Sequence, residues 1–194
     1  ITQSDTEVIL KSYLEYGDTC PEHFDGQFSF GIWDNKKERL FLARDRMGEK
    51  PLYITRVGDE LIFASEIKAL LATGRVSNEI DPVSLDNYLA LLYVPPWRSI
   101  YKNIKPLPPA HSAVWEKGVY TEKRYWKLTR DPISLSFEDA AAKVREMLTG
   151  SVRSRMVADV EVGAFLSGGI DSGIVVWLAQ RESPKKLKTF SAGF

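Results

Sequence analysis

The residues with the clearest chemical potential are Ser167 to Ser172, SGGIDS, where an apolar run ending at Leu166 meets two glycines, a carboxylate and a hydroxyl. Val160, Val162, Ala164, Phe165 and Leu166 read as a buried strand, while Ile174, Val175, Leu178 and Ala179 fall at helical spacing on one face. The turn therefore sits at a strand's carboxyl end and opens a helix. Without a Cβ at Gly168 and Gly169 the backbone can bend sharply and bring its amides close to an oxyanion. Helix N-terminal amides after Ile170 add partial positive charge. Ser167 and Ser172 can donate hydroxyl hydrogen bonds to phosphate oxygens. Asp171 is an anion where anions should repel, so it either caps the helix or holds a cation, and Mg²⁺ chelated by a polyphosphate is the natural cation. A bland alternative is a Gly-Gly turn with an ordinary helix cap, but six ordered positions after a strand favour a phosphate cradle. The loop lacks the GxxxxGK of a Walker sequence.

Around this loop the chain is expected to hold two kinds of architecture, with a boundary at 129–136. Before it, Gln27 to Trp33 alternates Phe28, Phe30 and Ile32 at period two, Asp34 to Glu38 is a polar turn, and Arg39 to Ala43 returns as a strand. Leu52 to Arg56 and Leu61 to Ala64 flank another turn, so two consecutive antiparallel hairpins are predicted. Ser65 is expected to cap a short helix through Leu71, and Asp81 followed by Pro82 to start another running to about Leu92. The prolines from Pro95 to Pro109 predict an extended connection. After the boundary, Ser136 starts a third helix with Asp139 at the capping-box position. Its expected apolar face is Val144, Met147, Leu148, Val152 and Met156, packed on the SGGIDS sheet. Leu187 to Phe194 reads as a second strand of the nucleotide fold.

Composition narrows the function classes. With 194 residues, 44% hydrophobic, the chain can bury real cores, and 26 basic against 26 acidic side chains argue against nucleic acid as the main partner. No apolar run approaches the ~18 residues of a membrane span. A single cysteine, Cys20, excludes an internal disulfide and suits a reducing cytoplasm. His23 and His111 stand far apart without a carboxylate pattern, which argues against a metal site. A start at Ile1 within a helix pattern and an abrupt end suggest a piece of a longer protein.

The SGGIDS loop resembles that of the PP-loop ATP pyrophosphatases, which cleave ATP between the α and β phosphates. Upstream, FDGQFSFGIWD, ARDRMGEKPLY and FASEIKAL resemble, in order and spacing, the later motifs of the glutamine-hydrolysing domain of asparagine synthetases. YVPPWRSIYKNIKPLPPAH is similar to that family's proline-rich crossover, and TFSAGF to its strand after the loop. The resemblance covers essentially the whole chain. It implies an α+β N-terminal-nucleophile hydrolase-type glutaminase portion of stacked antiparallel sheets over 1–128, a linker at 129–136, and an α/β PP-loop portion with a parallel sheet over 137–194.

The same resemblance implies a two-site ligase. Glutamine is hydrolysed in one domain, and ammonia passes to a carboxylate, most simply aspartate, that ATP has activated as an acyl-adenylate. Asp5, in SDTE, matches the aspartate that holds the α-amino group of glutamine; as a local feature it could equally cap the helix Thr6 to Tyr16. Leu166 and Ala192 match positions contacting the adenosine half of ATP, Ser167, Gly168, Gly169, Asp171 and Ser172 the phosphate loop, and Asp171 with Mg²⁺ the departing pyrophosphate. Arg44 with Asp45 and Glu66 with Lys68 read as ion pairs holding loops between the domains, and Lys50 as a solvated turn residue. The family's nucleophile is an N-terminal cysteine, whereas residue 1 is Ile1 and Cys20 lies inside the chain, so no catalytic nucleophile is assigned and this piece alone is expected to be inactive with glutamine. The glutamine site's arginine and Asn-Gly-Glu motif are also missing. Gly173, where the family has serine, removes one hydroxyl from the loop, and Glu161 replaces a proline upstream. The acceptor pocket is expected beyond Phe194, which leaves open an amidotransferase of the same architecture acting on a sugar acid or closing a β-lactam ring, an inactive nucleotide-binding scaffold, and a homodimer.

Overall fold

The computed structural model describes residues 4–193. Ile1, which bears on the nucleophile, and Phe194, the last residue of the expected second strand, lie outside the described residues. The chain divides into two compact units, Ile1–Thr129 and Arg130–Phe194.

The first unit opens with α1 (Asp5–Tyr16), whose cap is Ser4: its hydroxyl accepts the Thr6 N–H at 3.3 Å. The cap expected of Asp5 is therefore made one residue earlier, and Asp5 occupies the first helical turn. A 3-10 helix over Gly17–His23 follows. Both predicted hairpins form, β1 (Ser29–Asp34) with β2 (Arg39–Arg44) and β3 (Tyr53–Val57) with β4 (Glu60–Ala64), but they enter different sheets. A short α2 (Ile67–Ala72) starts at Glu66 without a side-chain cap, so Ser65 does not play the predicted role. By contrast α3 (Pro82–Leu91) begins as expected, with Asp81 accepting the Val83 N–H at 3.2 Å and proline in the first turn. The proline-rich stretch contributes the two-residue β5 (Lys105–Pro106). A third hairpin, β6 (His111–Glu116) and β7 (Val119–Arg124), completes the unit.

One sheet has the order β1-β2-β6-β7 and the other β4-β3-β5, both antiparallel. Alternation along β2 decides how the layers stack, because successive side chains point to opposite faces. Leu40 and Leu42 face the second sheet, where they meet Leu52, Ile54 and Leu107. Phe41 and Ala43 face the other way, onto Tyr13 of α1 and Cys20 of the 3-10 helix. Beyond the second sheet, Leu70 of α2 packs with Ile104, Tyr53 and Ile62. The first unit is thus a stack of helix, sheet, sheet and helix, with the main apolar core between the sheets.

The second unit contains α4 (Phe137–Arg155), β8 (Gly163–Phe165), α5 (Ile170–Glu182) and β9 (Lys188–Phe190). Ser136 caps α4 as predicted, accepting the Asp139 N–H at 3.0 Å while its hydroxyl donates to the Asp139 carboxylate at 2.8 Å. Strands β8 and β9 pair in parallel, with Ala164 opposite Thr189. The core is Val152, Leu178, Ala179 and Leu187, with Met156, Ala164 and Val176 around it. Only the C-terminal end of the expected α4 face is buried; Val144, Met147 and Leu148 are exposed, as are Ile174 and Val175 of α5. The predicted strand over 160–166 shrinks to three residues, and Phe165 is 86% exposed. A two-stranded sheet covered from one side leaves its outward side chains without a layer to pack against among the described residues.

Candidate functional site

The loop between β8 and α5 is built from both ends. At the sheet end, Leu166 N–H donates to Phe190 O at 2.8 Å, extending the parallel pairing one residue past β8. At the helix end, the first helical bond runs from Gly173 N–H to Gly169 O at 3.0 Å. The amides of Ile170, Asp171 and Ser172 precede that bond and lie in the turn whose N–H groups have no partner within a helix. These are the donors, reinforced by the helix dipole, that an anion would meet. Gly169 occupies the cap position and has no side chain to fill it, so the helix start stays open.

Gly168 adopts φ +84°, a conformation closed to most L-residues, and a Cβ built on it would meet nothing within 4 Å. What requires glycine there is the backbone turn itself; the space beside it is free. Gly163, at the start of β8, is the opposite case: a Cβ there would come within 2.9 Å of the Phe190 ring. Glycine lets Phe190 lie across the strand, and its ring forms a tilted pair with Phe165 at 6.4 Å.

The two loop serines meet each other. Ser172 Oγ accepts the Ser167 N–H at 3.3 Å, lies 3.0 Å from Ser167 Oγ, and donates to Gly169 O at 3.0 Å. A hydroxyl placed in this way knits the turn shut, while Ser167 remains exposed at its mouth. Asp171 projects from the first turn of α5 and is exposed. Among the described residues, no group of three His, Cys, Asp or Glu side chains could hold a metal ion. A lone carboxylate beside an anion cradle fits Mg²⁺ that arrives with phosphate oxygens, which is how that ion is commonly bound.

Leu166, partly buried, and Ala192, exposed, stand on the two chain segments that follow β8 and β9. Ser191 Oγ donates to Leu166 O at 2.6 Å and ties those segments together. The loop residues and Ala192 are therefore collected at the carboxyl ends of two parallel strands, the place where open α/β sheets receive ligands. The sequence carries no signal for Ser191 beyond its place beside Ala192 in TFSAGF, since its partner is 25 residues away.

In the first unit, Asp5 is exposed in the first turn of α1. Arg44 and Asp45 are not the domain-spanning ion pair expected of them. Arg44 donates to three carbonyls, Lys50 O, Leu107 O and Gly48 O, each at 2.7 Å, and burial draws its pKa downward. Asp45, 1% exposed, accepts the amides of Phe28, Met47, Glu49 and Lys50. Both act within the first unit, fixing the loop that carries the exposed Lys50. Glu66 and Lys68 do pair, at 2.6 Å and in solvent. Cys20 is fully buried, and that burial pushes its thiol up to about 11. A thiol so held is no nucleophile at neutral pH. No helix is long and apolar enough to cross a membrane among the described residues.

Comparison with known proteins covers both units. The family model described as a glutamine amidotransferase domain matches residues 1–126, and the one described as asparagine synthase matches residues 143–194. Asparagine synthetase [glutamine-hydrolyzing] 3 of Bacillus subtilis is 38% identical over 196 residues, spanning 98% of this chain and 32% of that protein. Putative asparagine synthetase [glutamine-hydrolyzing] 2 of Methanocaldococcus jannaschii is 38% identical over 198 residues, spanning 100% of this chain and 38% of that protein. The chain thus spans about a third of the length of these relatives. Among solved structures, glutamine phosphoribosylpyrophosphate amidotransferase from B. subtilis aligns at TM-score 0.46 and 15% identity over 98% of this chain and 39% of that one, too loosely to argue from.

Proposed function

Because the chain belongs to the glutamine-hydrolysing asparagine synthetase family, we propose that it is part of a ligase that moves glutamine nitrogen onto an ATP-activated carboxylate, with aspartate as acceptor. The observation that carries this reading is the loop after β8. An exposed turn with a left-handed Gly168 leads into unfilled helix amides at the end of a parallel strand. A neutral carboxylic amide cannot form directly from a carboxylate, because oxide is a poor leaving group. In the proposed reaction a carboxylate oxygen attacks the α phosphorus of ATP and pyrophosphate departs. Ammonia then adds to the acyl carbon, AMP leaves with the C–O bond electrons, and nitrogen gives up a proton to yield the amide.

In this scheme the amides of Ile170, Asp171 and Ser172 and the Ser167 hydroxyl bind the phosphates that become pyrophosphate, where preorganised donors stabilise developing charge. Leu166 and Ala192 lie against the adenosine half. Mg²⁺, held by Asp171 together with phosphate oxygens, would neutralise charge on the leaving group. Gly173 still offers a backbone at this turn, but that amide is committed to Gly169 O, so the missing hydroxyl is not replaced by it. In the first unit, which we assign to the glutaminase portion, the Asp5 carboxylate would hold the α-ammonium of glutamine. We assign residues 137–194 to the synthetase portion and 129–136 to the linker.

The test is aspartate-dependent exchange of labelled pyrophosphate into ATP by the full-length protein. Exchange with aspartate and none with sugar acids or β-amino acids supports the assignment. Exchange confined to another carboxylate moves the protein to a different acceptor, and no exchange with any acid refutes adenylation.

A further inference from the structure

The peptide unit joining Leu166 to Ser167 is where β8 gives way to the loop, and serine hydroxyls from two different segments hold both of its poles. Its N–H donates to Ser172 Oγ in the first turn of α5, at 3.3 Å. Its carbonyl accepts from Ser191 Oγ, just after β9, at 2.6 Å. The strand ladder ends with Phe165 opposite Phe190, so the Ser191 hydroxyl supplies a donor beyond the last paired residues. Ser191 is exposed and has no place in the apolar core of the unit.

Resting on the reading that this loop holds the phosphates of ATP, we propose that Ser191 is a positioning residue for the phosphate loop. A peptide whose oxygen is free can rotate about its two flanking single bonds. Rotation would carry the Ser167 N–H away from Ser172 and part the two loop hydroxyls, which now lie 3.0 Å apart. The Ser191 bond blocks that rotation without itself reaching a phosphate. The segments bearing Leu166 and Ala192 are held by the backbone pairing of β8 with β9, which does not need the hydroxyl, so its effect falls on the phosphate turn. Its contribution is to preorganisation, which improves binding by lowering the ordering cost when ligand arrives.

The experiment is calorimetric titration of the full-length protein with Mg-ATP and, separately, with adenosine, using wild type, Ser191→Ala, Ser191→Thr and Ser191→Val. Threonine and valine have nearly the same shape and differ in the hydroxyl, so this pair decides the matter even if the alanine variant folds poorly. Loss of one neutral hydrogen bond should weaken ATP binding about five-fold in the alanine and valine variants, with threonine within about two-fold of wild type. Adenosine binding should be the same in all four. Unchanged ATP binding in the valine variant overturns the role of Ser191 while leaving the ATP reading intact. An equal loss of ATP and adenosine also overturns it, since a loss of general structure would do the same. Failure of wild type to bind ATP overturns the phosphate-loop reading and this inference with it.

Discussion

Replacing Asp45 by asparagine keeps the shape of the side chain and removes half of its accepting capacity. Oδ1 takes the amides of Met47 and Glu49 at 3.1 and 2.9 Å, and Oδ2 those of Phe28 and Lys50 at 3.3 and 3.0 Å. Whichever way the new amide turns, two N–H groups lose their acceptor and face an NH₂ donor instead. Leaving a buried donor unsatisfied costs about 1–3 kcal/mol, so with two of them Asp45→Asn should destabilise the first unit by about 2–6 kcal/mol. Water cannot readily compensate, because the carboxylate is 1% exposed. Arg44 should not rescue the loop, since its guanidinium is already bonded to Gly48 O, Lys50 O and Leu107 O. Native-state hydrogen exchange of the full-length protein should show the largest loss of protection at Met47, Glu49 and Lys50, and denaturant unfolding should give the global cost. A loss below about 1 kcal/mol, with protection at those amides unchanged, would refute the four-amide account of Asp45.

The remaining predictions concern the loop and the buried thiol. Gly168→Ala places a Cβ on a backbone at φ +84°, a strain of about 1–2 kcal/mol that should either weaken ATP binding about ten-fold or shift the turn; titration with ATP reads the first and the crystal structure of the variant the second. Cys20 should resist alkylation in the native protein at pH 8 and react on unfolding, as read by mass spectrometry. Its folded thiol titrates near 11 against an ordinary 9, so the native state binds more protons between those values. Its contribution to stability is complete below about pH 9 and falls as pH rises toward 11, so the decline over that range should be shallower in Cys20→Ala, where the tyrosines that burial pushes upward, Tyr13, Tyr120 and Tyr125, still contribute.

How much of this was legible in sequence depended on whether the signal was local. Asp81-Pro82 and Ser136 with Asp139 named their helix starts because capping is settled within four residues. Ser65 failed because Ala64 ends β4 and the chain turns at Glu66 without a side-chain cap. The β6–β7 hairpin has a local signal in Lys117-Gly118, at φ +49° and +78° a tight turn between two alternating runs, but the proline density just before it points to an extended connection and masks that signal. Neighbouring opposite charges suggested that Arg44 and Asp45 paired, but in the fold each serves backbone groups instead. The SGGIDS turn was readable as a strand, loop and helix, whereas Ser191 was not, since its bond to Leu166 O joins residues 25 apart.

The proposed role of the loop from Ser167 to Ser172 is to hold ATP while it is split between its α and β phosphates. Phosphorus NMR of the full-length protein turning over ATP, aspartate and glutamine should then show AMP and pyrophosphate, formed in step with asparagine and lost together in Asp171→Asn. Asparagine formed with ADP and inorganic phosphate would refute that role.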